Sequence, residues 1–362
     1  MIDAAVHHRW SSEAEVYPFL EEGWRQYVGE PRSIAGRFGA RRLLPIGRYP
    51  NPVGDDLPGA TAHGSVAGTS VDALGERWLD DNSIDRALLV YDRGTFAASH
   101  PNPFFAAAVV RAVNDWNAET WLGGDERLHG VALVPEQSPD EAVAELHRVA
   151  ANPRIAAVAV SPSIGRLLGH PLYHPIYEAA AELRLPVVIN RGIDAITDAP
   201  TGTAGGAPYT FAEYRTLAPL ALTTNVTSIV VNGVFERYPD LRLYASGAGI
   251  TWLDAMFLRV DTLWRSLRSD FPWVKEAPSE YLRRGLRVGT YGIEAGTPDT
   301  IRRLADRKPH LREMLVYGSG WPRWDTTGPQ EVAELLPADW HEDVFGGNAA
   351  DWFRWESRVP AR

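Results

Sequence analysis

Short apolar runs recur along the chain and are separated by longer segments of mixed character. Each run is almost continuously apolar and rich in β-branched residues, which is typical of parallel strands whose two faces are both covered. Runs of this length between helix-sized segments indicate that strands and helices alternate. The pattern predicts eight strands, at Ile2–Val6, Ile84–Tyr91, Leu128–Val134, Ile155–Val160, Pro186–Asn190, Leu241–Ala245, Leu286–Thr290 and Met314–Gly318.

Segments between the strands repeat their apolar positions every three or four residues, the period of a helix that buries one face. Examples are "PFFAAAVVRAVNDWNAETWL", "SPDEAVAELHRVAA", "HPIYEAAAELR", "WLDAMFLRVDTLWRSLR" and "TPDTIRRLADR". Eight strands with helical crossovers favour a distorted (β/α)8 TIM barrel of the α/β class over an open doubly wound sheet. No Gly-x-Gly-x-x-Gly follows an early strand and no Walker A sequence occurs, which argues against nucleotide-binding folds. We therefore expect one barrel domain over residues 1–362.

Two segments break this alternation. Residues from about 10 to 80 are rich in Gly, Pro and Arg and show weak periodicity. A loop of this length is uncommon unless it has a function, so we expect a lid or an interface subdomain inserted after the first strand. Residues 194–210, "DAITDAPTGTAGGAPYT", predict a flexible loop after the fifth strand. Both segments follow the C-terminal ends of strands, where barrel enzymes place their active sites.

Composition narrows the function classes. The 362 residues carry a formal net charge of −10 at pH 7, which argues against nucleic-acid binding because phosphate requires a basic face. The chain contains no cysteine, so disulfides, thiolate zinc sites, iron–sulfur clusters and a cysteine nucleophile are excluded. The start, "MIDAAVHHRW", has no basic region and no long apolar run. We expect a cytoplasmic protein with no membrane association.

The predicted strand ends supply few candidate ligands. In the first strand the residues at the barrel mouth are Ala5, His7 and His8. A histidine pair there suggests a metal site, because imidazole nitrogen binds borderline cations. The competing interpretation is one hydrogen-bonded core histidine and one surface histidine. The fifth strand ends in Asn190, and the turns after the sixth and eighth strands are rich in glycine, so three protein ligands are not evident.

Several motifs, in order along nearly the whole chain, resemble those of the amidohydrolase superfamily. The likeness is to the amidohydrolase-2 group, which includes the aminocarboxymuconate-semialdehyde decarboxylase-like enzymes. This resemblance implies a distorted (β/α)8 barrel that binds a divalent metal at the C-terminal ends of its strands. The matching segments are "IDAAVHH", "HPNPFFAAAVVRAVNDWNAE", "RLHGVALVPEQSPDEAVAEL", "HPLYHPIYEAAAELRLPVVI", "GVFERYPDLRLYASGAGITWL", "YGSGWPRWD" and "GGNAADWF".

The ligand positions that the resemblance implies are mostly lost. Asp3 begins the first-strand motif, but the first ligand position is Ala5 and only His7 remains. The eighth-strand aspartate of the family, a metal ligand and proton-transfer base, is replaced by glycine, which has no side chain that can move a proton. The other family positions carry Asn190 for a histidine, Gly247 for a histidine or glutamate, Gly320 for this aspartate and Arg323 for the following histidine.

Other polar residues have a structural and a functional interpretation. For the histidines at 63, 100, 170 and 174 we favour packing or helix capping over metal binding. Asp92, Arg93 and Arg191 follow strands two and five, where they would bind a carboxylate or, as we favour, pair with each other. Asp325 is a candidate replacement for the lost acid, although a solvated loop residue is the simpler interpretation.

Three functions remain open. Retention of the fold with loss of the ligands predicts a partner chain in a heteromeric metal-dependent enzyme. The resemblance suggests an accessory chain of the 2-aminoisobutyrate hydroxylase type, a monooxygenase class acting on a small amino or carboxylic acid. Alternatively, a single-chain hydrolase or decarboxylase holds Zn, Mn or Fe in a rebuilt site with His7, His8, Asn190 or Asp325. The third possibility is a small-molecule binding protein without a metal. The expected protein partner is a homologous barrel chain or a second copy of this chain.

Overall fold

The computed structural model describes residues 1–29, 67–91, 94–161, 166–190, 210–294 and 298–355. Within these ranges eight parallel strands pair in chain order, from β1 beside β2 to β7 beside β8. The predicted α/β barrel is therefore confirmed. The strands are β1 (Ile2–His8), β2 (Arg86–Tyr91), β3 (Leu128–Ala132), β4 (Ile155–Val160), β5 (Val187–Asn190), β6 (Leu243–Ser246), β7 (Leu286–Gly289) and β8 (Leu315–Val316).

Hydrogen bonds between β1 and the chain around β8 bring the two ends of the sheet together. The amide of Ala4 donates to the carbonyl of Tyr317 over 2.9 Å, and the amide of Gly320 donates to the carbonyl of Ala5 over 2.9 Å. Further toward the mouth, the amide of His7 donates to the carbonyl of Trp321 over 2.6 Å. These three bonds form the seam of the barrel, and they fix which residues of the first and last strands face each other.

Helices cover the outside of the sheet. The longest ones follow the predicted apolar period, as in α3, where the side chain of Asn102 caps the first turn and Pro103 follows it. The helices are α1 (Glu22–Gly29), α2 (Val71–Leu74), α3 (Pro103–Trp116), α4 (Pro139–Val149), α5 (His174–Glu182), α6 (Phe211–Leu217), α7 (Pro219–Val231), α8 (Val234–Arg237), α9 (Thr251–Ser266), α10 (Pro278–Gly285), α11 (Pro298–Arg307), α12 (Leu311–Met314), α13 (Pro329–Leu335) and α14 (Asn348–Trp352).

The segment after β1 is only partly described. Two 3₁₀ turns, Glu13–Glu15 and Tyr17–Phe19, lead into α1, and residues 30–66 lie outside the described ranges. Val16 and Leu20 are buried against the barrel, and the rings of Trp24 and Phe105 are 5.4 Å apart. The described start of the inserted segment is therefore packed on α3. Its role as a lid or interface stays a prediction, and most of the predicted loop at residues 194–210 also lies outside the described part.

One predicted strand is shorter in the structure, and one helix was not among the predicted segments. The eighth strand is shorter than predicted, because Met314 ends α12 and the chain leaves the ladder after Val316. The apolar, β-branched run of residues 219–231 forms α7, with Pro219 in its first turn and Leu222, Val226 and Ile229 buried on one face. In the described part of the chain, no helix combines the length and apolarity needed to cross a membrane.

The carboxylate of Asp3 holds the seam together. Its Oδ1 atom accepts hydrogen bonds from the amides of Ala5 at 3.1 Å and Ser319 at 3.0 Å, and its Oδ2 atom accepts one from Nε1 of Trp78 at 2.9 Å. Asp3 is fully buried, and this burial raises its pKa while the hydrogen bonds act in the opposite direction. The side chain thus joins β1, the turn after β8 and the segment before β2.

We expect Asp3→Asn to lower the free energy of unfolding by about 1–3 kcal/mol. The amide oxygen of asparagine can still accept from Ala5 and Ser319, but its NH₂ group then faces the N–H of Trp78, and two donors oppose each other. Chemical denaturation should show this loss, and the same substitution made in a Trp78→Phe background should cost clearly less. Asp270→Asn, at an exposed residue, is the matched control and should leave stability nearly unchanged. Additive effects of the Asp3 and Trp78 substitutions would contradict this assignment.

Candidate functional site

The two histidines at the end of β1 have different environments. The ring nitrogens of His8 lie 3.2 Å from the carbonyl oxygen of Val90 and 2.8 Å from Oδ1 of Asn117. The same ring stacks on Trp116 of α3, with centroids 5.6 Å apart and an interplanar angle of 7°. Both nitrogens of His8 therefore have partners, one on β2 and one on Asn117 at the C-terminal end of α3. This arrangement favours the structural interpretation of His8 over metal binding.

His7 is buried at the mouth and contacts the ring of Tyr291 edge-on, with centroids 5.5 Å apart. His7 and His8 are consecutive residues of β1, so their side chains point to opposite faces of the sheet. The structure therefore does not bring the histidine pair together as ligands. A metal-ligand role for His7 stays a prediction.

Side chains fill the barrel interior below the mouth. The hydroxyl of Tyr244 extends from β6 to a point 2.5 Å from where a Cβ atom of Gly289 would stand, and 3.2 Å from the corresponding point of Gly318. The Cβ atom of Ala5, on β1, lies 2.9 Å from this second point. Because β6 and β1 are not neighbours, Tyr244 crosses the interior. Burial raises its pKa, so the phenol is neutral there.

Gly320, the position of the family's eighth-strand acid, has no room for a side chain. Its φ of 77° lies in the left-handed region, and a Cβ atom added to it would overlap the ring carbons of Tyr291. Tyr291 is almost fully buried and follows β7 by two residues. The space beside Gly320 is therefore occupied by an aromatic ring that the sequence reasoning did not identify.

Asp325 is held in a polar cluster beside this ring. Its Oδ1 atom accepts a hydrogen bond from the hydroxyl of Tyr291 at 2.9 Å, and its Oδ2 atom forms an ion pair with Arg215 of α6. Nε of Arg323 lies 4.0 Å from Oδ1, and the guanidinium of Arg215 lies 5.5 Å from the centre of the Trp324 ring. Asp325 is thus a paired and largely buried carboxylate, which differs from the solvated loop residue that we favoured from the sequence.

The remaining positions at which the family has metal ligands carry Asn190 and Gly247, which are poor ligands. Asn190 is the last residue of β5, is buried, and pairs in register with Ser246. Gly247 has a φ of 86° and begins the turn into α9. In the same turn, a Cβ atom at Gly249 would meet the carboxylate of Glu294, which accepts from the amide of Ile250 at 2.9 Å. Glu294 therefore caps the start of α9.

The residues present do not fit the family's metal centre. The positions of Ala5, Gly247 and Gly320 have no side chain that can coordinate an ion, and Asn190 supplies at most an amide oxygen. Among the described residues, no group of three His, Asp or Glu side chains is placed to hold a metal. The aromatic ring of Tyr291 occupies the region that the eighth-strand ligand would need.

The other candidate histidines that are described have structural contacts. Nδ1 of His170 accepts from the amide of Leu172 at 3.1 Å and caps the turn before α5, which confirms capping. His174 packs edge-on against Tyr238, and burial lowers its pKa, which confirms packing. Nδ1 of His100 accepts from the amide of Asn102 at 3.2 Å. His63 and the residues at 92, 93 and 191 lie outside the described ranges.

The chain belongs to the amidohydrolase family. Residues 80–355 match the family model described as amidohydrolase, which covers more than half of the chain. This match confirms the amidohydrolase-2 group that the motifs suggested. A search of curated proteins gives no match for the chain.

Solved structures show the same fold over the whole chain. An amidohydrolase from Mycobacterium avium subsp. paratuberculosis superposes with a TM-score of 0.73 and 21% identity, covering 97% of both chains. The 5-carboxyvanillate decarboxylase of Sphingomonas paucimobilis gives 0.64 and 20%, covering 98% of both. A dihydroxybenzoic acid decarboxylase from Polaromonas sp., with bound manganese and the inhibitor 2-nitroresorcinol, gives 0.64 and 15%, covering 99% of this chain and 97% of that one.

We expect Gly320→Ala to lower the free energy of unfolding by about 2–4 kcal/mol, because the methyl group meets the Tyr291 ring at a left-handed φ. In a Tyr291→Ala background the steric part is removed, so the same change should cost only about 1–2 kcal/mol. Gly346→Ala is the matched control, since a Cβ atom there meets nothing within 4 Å. Thermal and chemical denaturation measure all of these variants. If Gly320→Ala is as mild as Gly346→Ala, the described packing at the mouth is wrong.

Proposed function

We propose that this chain is a subunit without the family's metal centre, and that it works beside a homologous chain that carries one. The observation that supports this most strongly is the ring of Tyr291 in the space beside Gly320. Glycine alone would leave an empty position that a loop residue or water could complete. A packed aromatic ring, tied by its hydroxyl to Asp325, instead gives this part of the mouth a defined structure without an ion.

The sequence motifs and the similar solved structures suggest different reactions for the assembly. The sequence motifs suggested a hydroxylase or monooxygenase acting on a small amino or carboxylic acid. The similar solved structures carry the names of decarboxylases and an amidohydrolase instead. These names favour decarboxylation or hydrolysis of a small carboxylic acid, and we propose this reaction class for the assembly. The metal, manganese in one of these relatives, would then belong to the partner chain.

A second candidate is a single-chain hydrolase or decarboxylase. It is favoured by the likeness to decarboxylases over almost the whole chain. In addition, the polar cluster of Tyr291, Asp325 and Arg215 at the mouth supplies side chains that can bind a substrate and hold a proton. In this case Arg215 would bind the carboxylate of the substrate, and Asp325 or Tyr291 would hold a proton near it. His7 would complete the site from β1.

Co-expression separates the two candidates. The chain would be purified alone and together with a homologue from the same genome that has an intact His-x-His first strand and a Gly-Ser-Asp eighth strand. We expect a stable complex by size-exclusion chromatography, and turnover only in that complex of 5-carboxyvanillate or 2,6-dihydroxybenzoate, the acids in the names of two similar solved decarboxylases. Replacing the eighth-strand aspartate of the homologue should abolish turnover.

The single-chain candidate predicts the opposite pattern. The chain alone would turn over one of these acids, and Asp325→Asn would remove the activity while a matched exposed variant, Asp270→Asn, kept it. Turnover by the chain alone, with no effect of adding the homologue, would overturn the partner proposal.

A further inference from the structure

Glu136 places a carboxyl group at the mouth side of the barrel, away from the cluster around Tyr291. It follows β3 by four residues, and its Oε1 atom accepts a hydrogen bond from the amide of Ser161 at 2.5 Å. Ser161 is the first residue after β4. The carboxyl therefore lies between the C-terminal ends of β3 and β4, the edge at which barrel proteins bind their ligands.

The carboxyl group of Glu136 is buried, and the polar groups that it influences hydrogen-bond to other partners. Glu136 is only 2% exposed. Glu136 acts electrostatically on the buried phenols of Tyr173 and Tyr177, whose hydroxyls donate to the carbonyls of Arg166 and Leu168. Burial raises the pKa of Glu136 well above its usual range, the Ser161 amide opposes this, and no cation in the described part of the chain contributes. Burial therefore favours the neutral, protonated form of this carboxyl group.

A neutral acid has one acceptor oxygen and one O–H donor. Oε1 accepts from Ser161, which makes it the carbonyl oxygen, so the proton belongs on Oε2. Among the described residues, Oε2 is buried and has no hydrogen-bond partner. A buried donor without an acceptor destabilises the folded state, and native structures hold few such groups without a reason.

We propose that the O–H group of Glu136 is a ligand-binding donor, which hydrogen-bonds a carbonyl or carboxylate oxygen of a small acid bound at the β3–β4 edge of the mouth. The ligand class is the carboxylic acids favoured above, but this contact requires neither a metal nor a partner chain. Glu136 acts as a binding residue in this role. Failure of the partner proposal would leave it unaffected.

Calorimetric titration with 2,6-dihydroxybenzoate, on the full chain alone, tests the contact. Glutamine has an oxygen that accepts from Ser161 and an NH₂ that donates in place of the O–H, so Glu136→Gln should bind within about threefold of the natural chain. Leucine has neither group, so Glu136→Leu should bind at least about tenfold more weakly. The proposal is overturned by absence of binding to the natural chain, by equal affinity of the leucine variant, or by an equal loss in both variants.

The protonation state has an independent test if the leucine variant fails to fold. Because the folded pKa is raised, the folded state keeps a proton that the unfolded chain releases above its ordinary glutamate pKa. The stability from this group is present at acidic pH and falls as pH rises through the folded pKa. We expect this decline with the natural chain and a flatter profile with Glu136→Gln. Infrared spectra should show a protonated carboxyl band at neutral pH that Glu136→Gln lacks. Identical pH profiles or absence of the band would contradict the proposal.

Discussion

The barrel depends on the hydrogen bonds that join its first strand to its last. Apolar runs can form eight parallel strands, but the sheet closes only if β1 and the chain after β8 satisfy each other's backbone groups. The buried carboxylate of Asp3 organises this seam, since it accepts from Ala5, Ser319 and Trp78. The same contacts set the positions of His7 and Gly320 at the mouth. In this chain the first residue of the family motif is therefore retained for architecture.

At the mouth above the seam, small residues of several strands and turns are matched by large aromatic side chains. Ala5, Gly289 and Gly318 leave room for the phenol of Tyr244, and Gly320 leaves room for the ring of Tyr291. The hydroxyl of Tyr291 then engages Asp325, which is neutralised by Arg215 from α6. Small residues and large aromatic side chains are thus matched, and the ion pair links α6 to the turn after β8. This matching is the structural basis of our proposal that a partner chain carries the family's metal.

The sequence predicted the barrel well because its strands are buried on both faces and stand out as apolar runs. Errors were concentrated where tertiary contacts decide the outcome. The run that forms α7 is rich in β-branched residues and was not among the predicted segments, yet it is a helix with one buried face. The motifs did predict that the family's metal ligands are replaced at Ala5 and Gly320.

The candidate site was less predictable than the fold for the same reason. Tyr291 and Arg215 are distant in sequence from the motif that contains Asp325, and neither belongs to a recognisable pattern. From its neighbours in sequence alone, Asp325 was therefore predicted to be a solvated loop residue. Glu136 was part of a matching segment, yet its significance comes from burial and from one unpartnered oxygen, which depend on the packing of β3, β4 and α5.

The central claim is that this barrel does not hold the divalent metal of its family. Elemental analysis of the chain, purified without chelators and then equilibrated with manganese, zinc or iron and desalted, tests this directly. Our account predicts far less than one ion per chain for every metal, with the folded state as stable as before. A stoichiometric ion that is lost on His7→Ala or Asp325→Asn would contradict it.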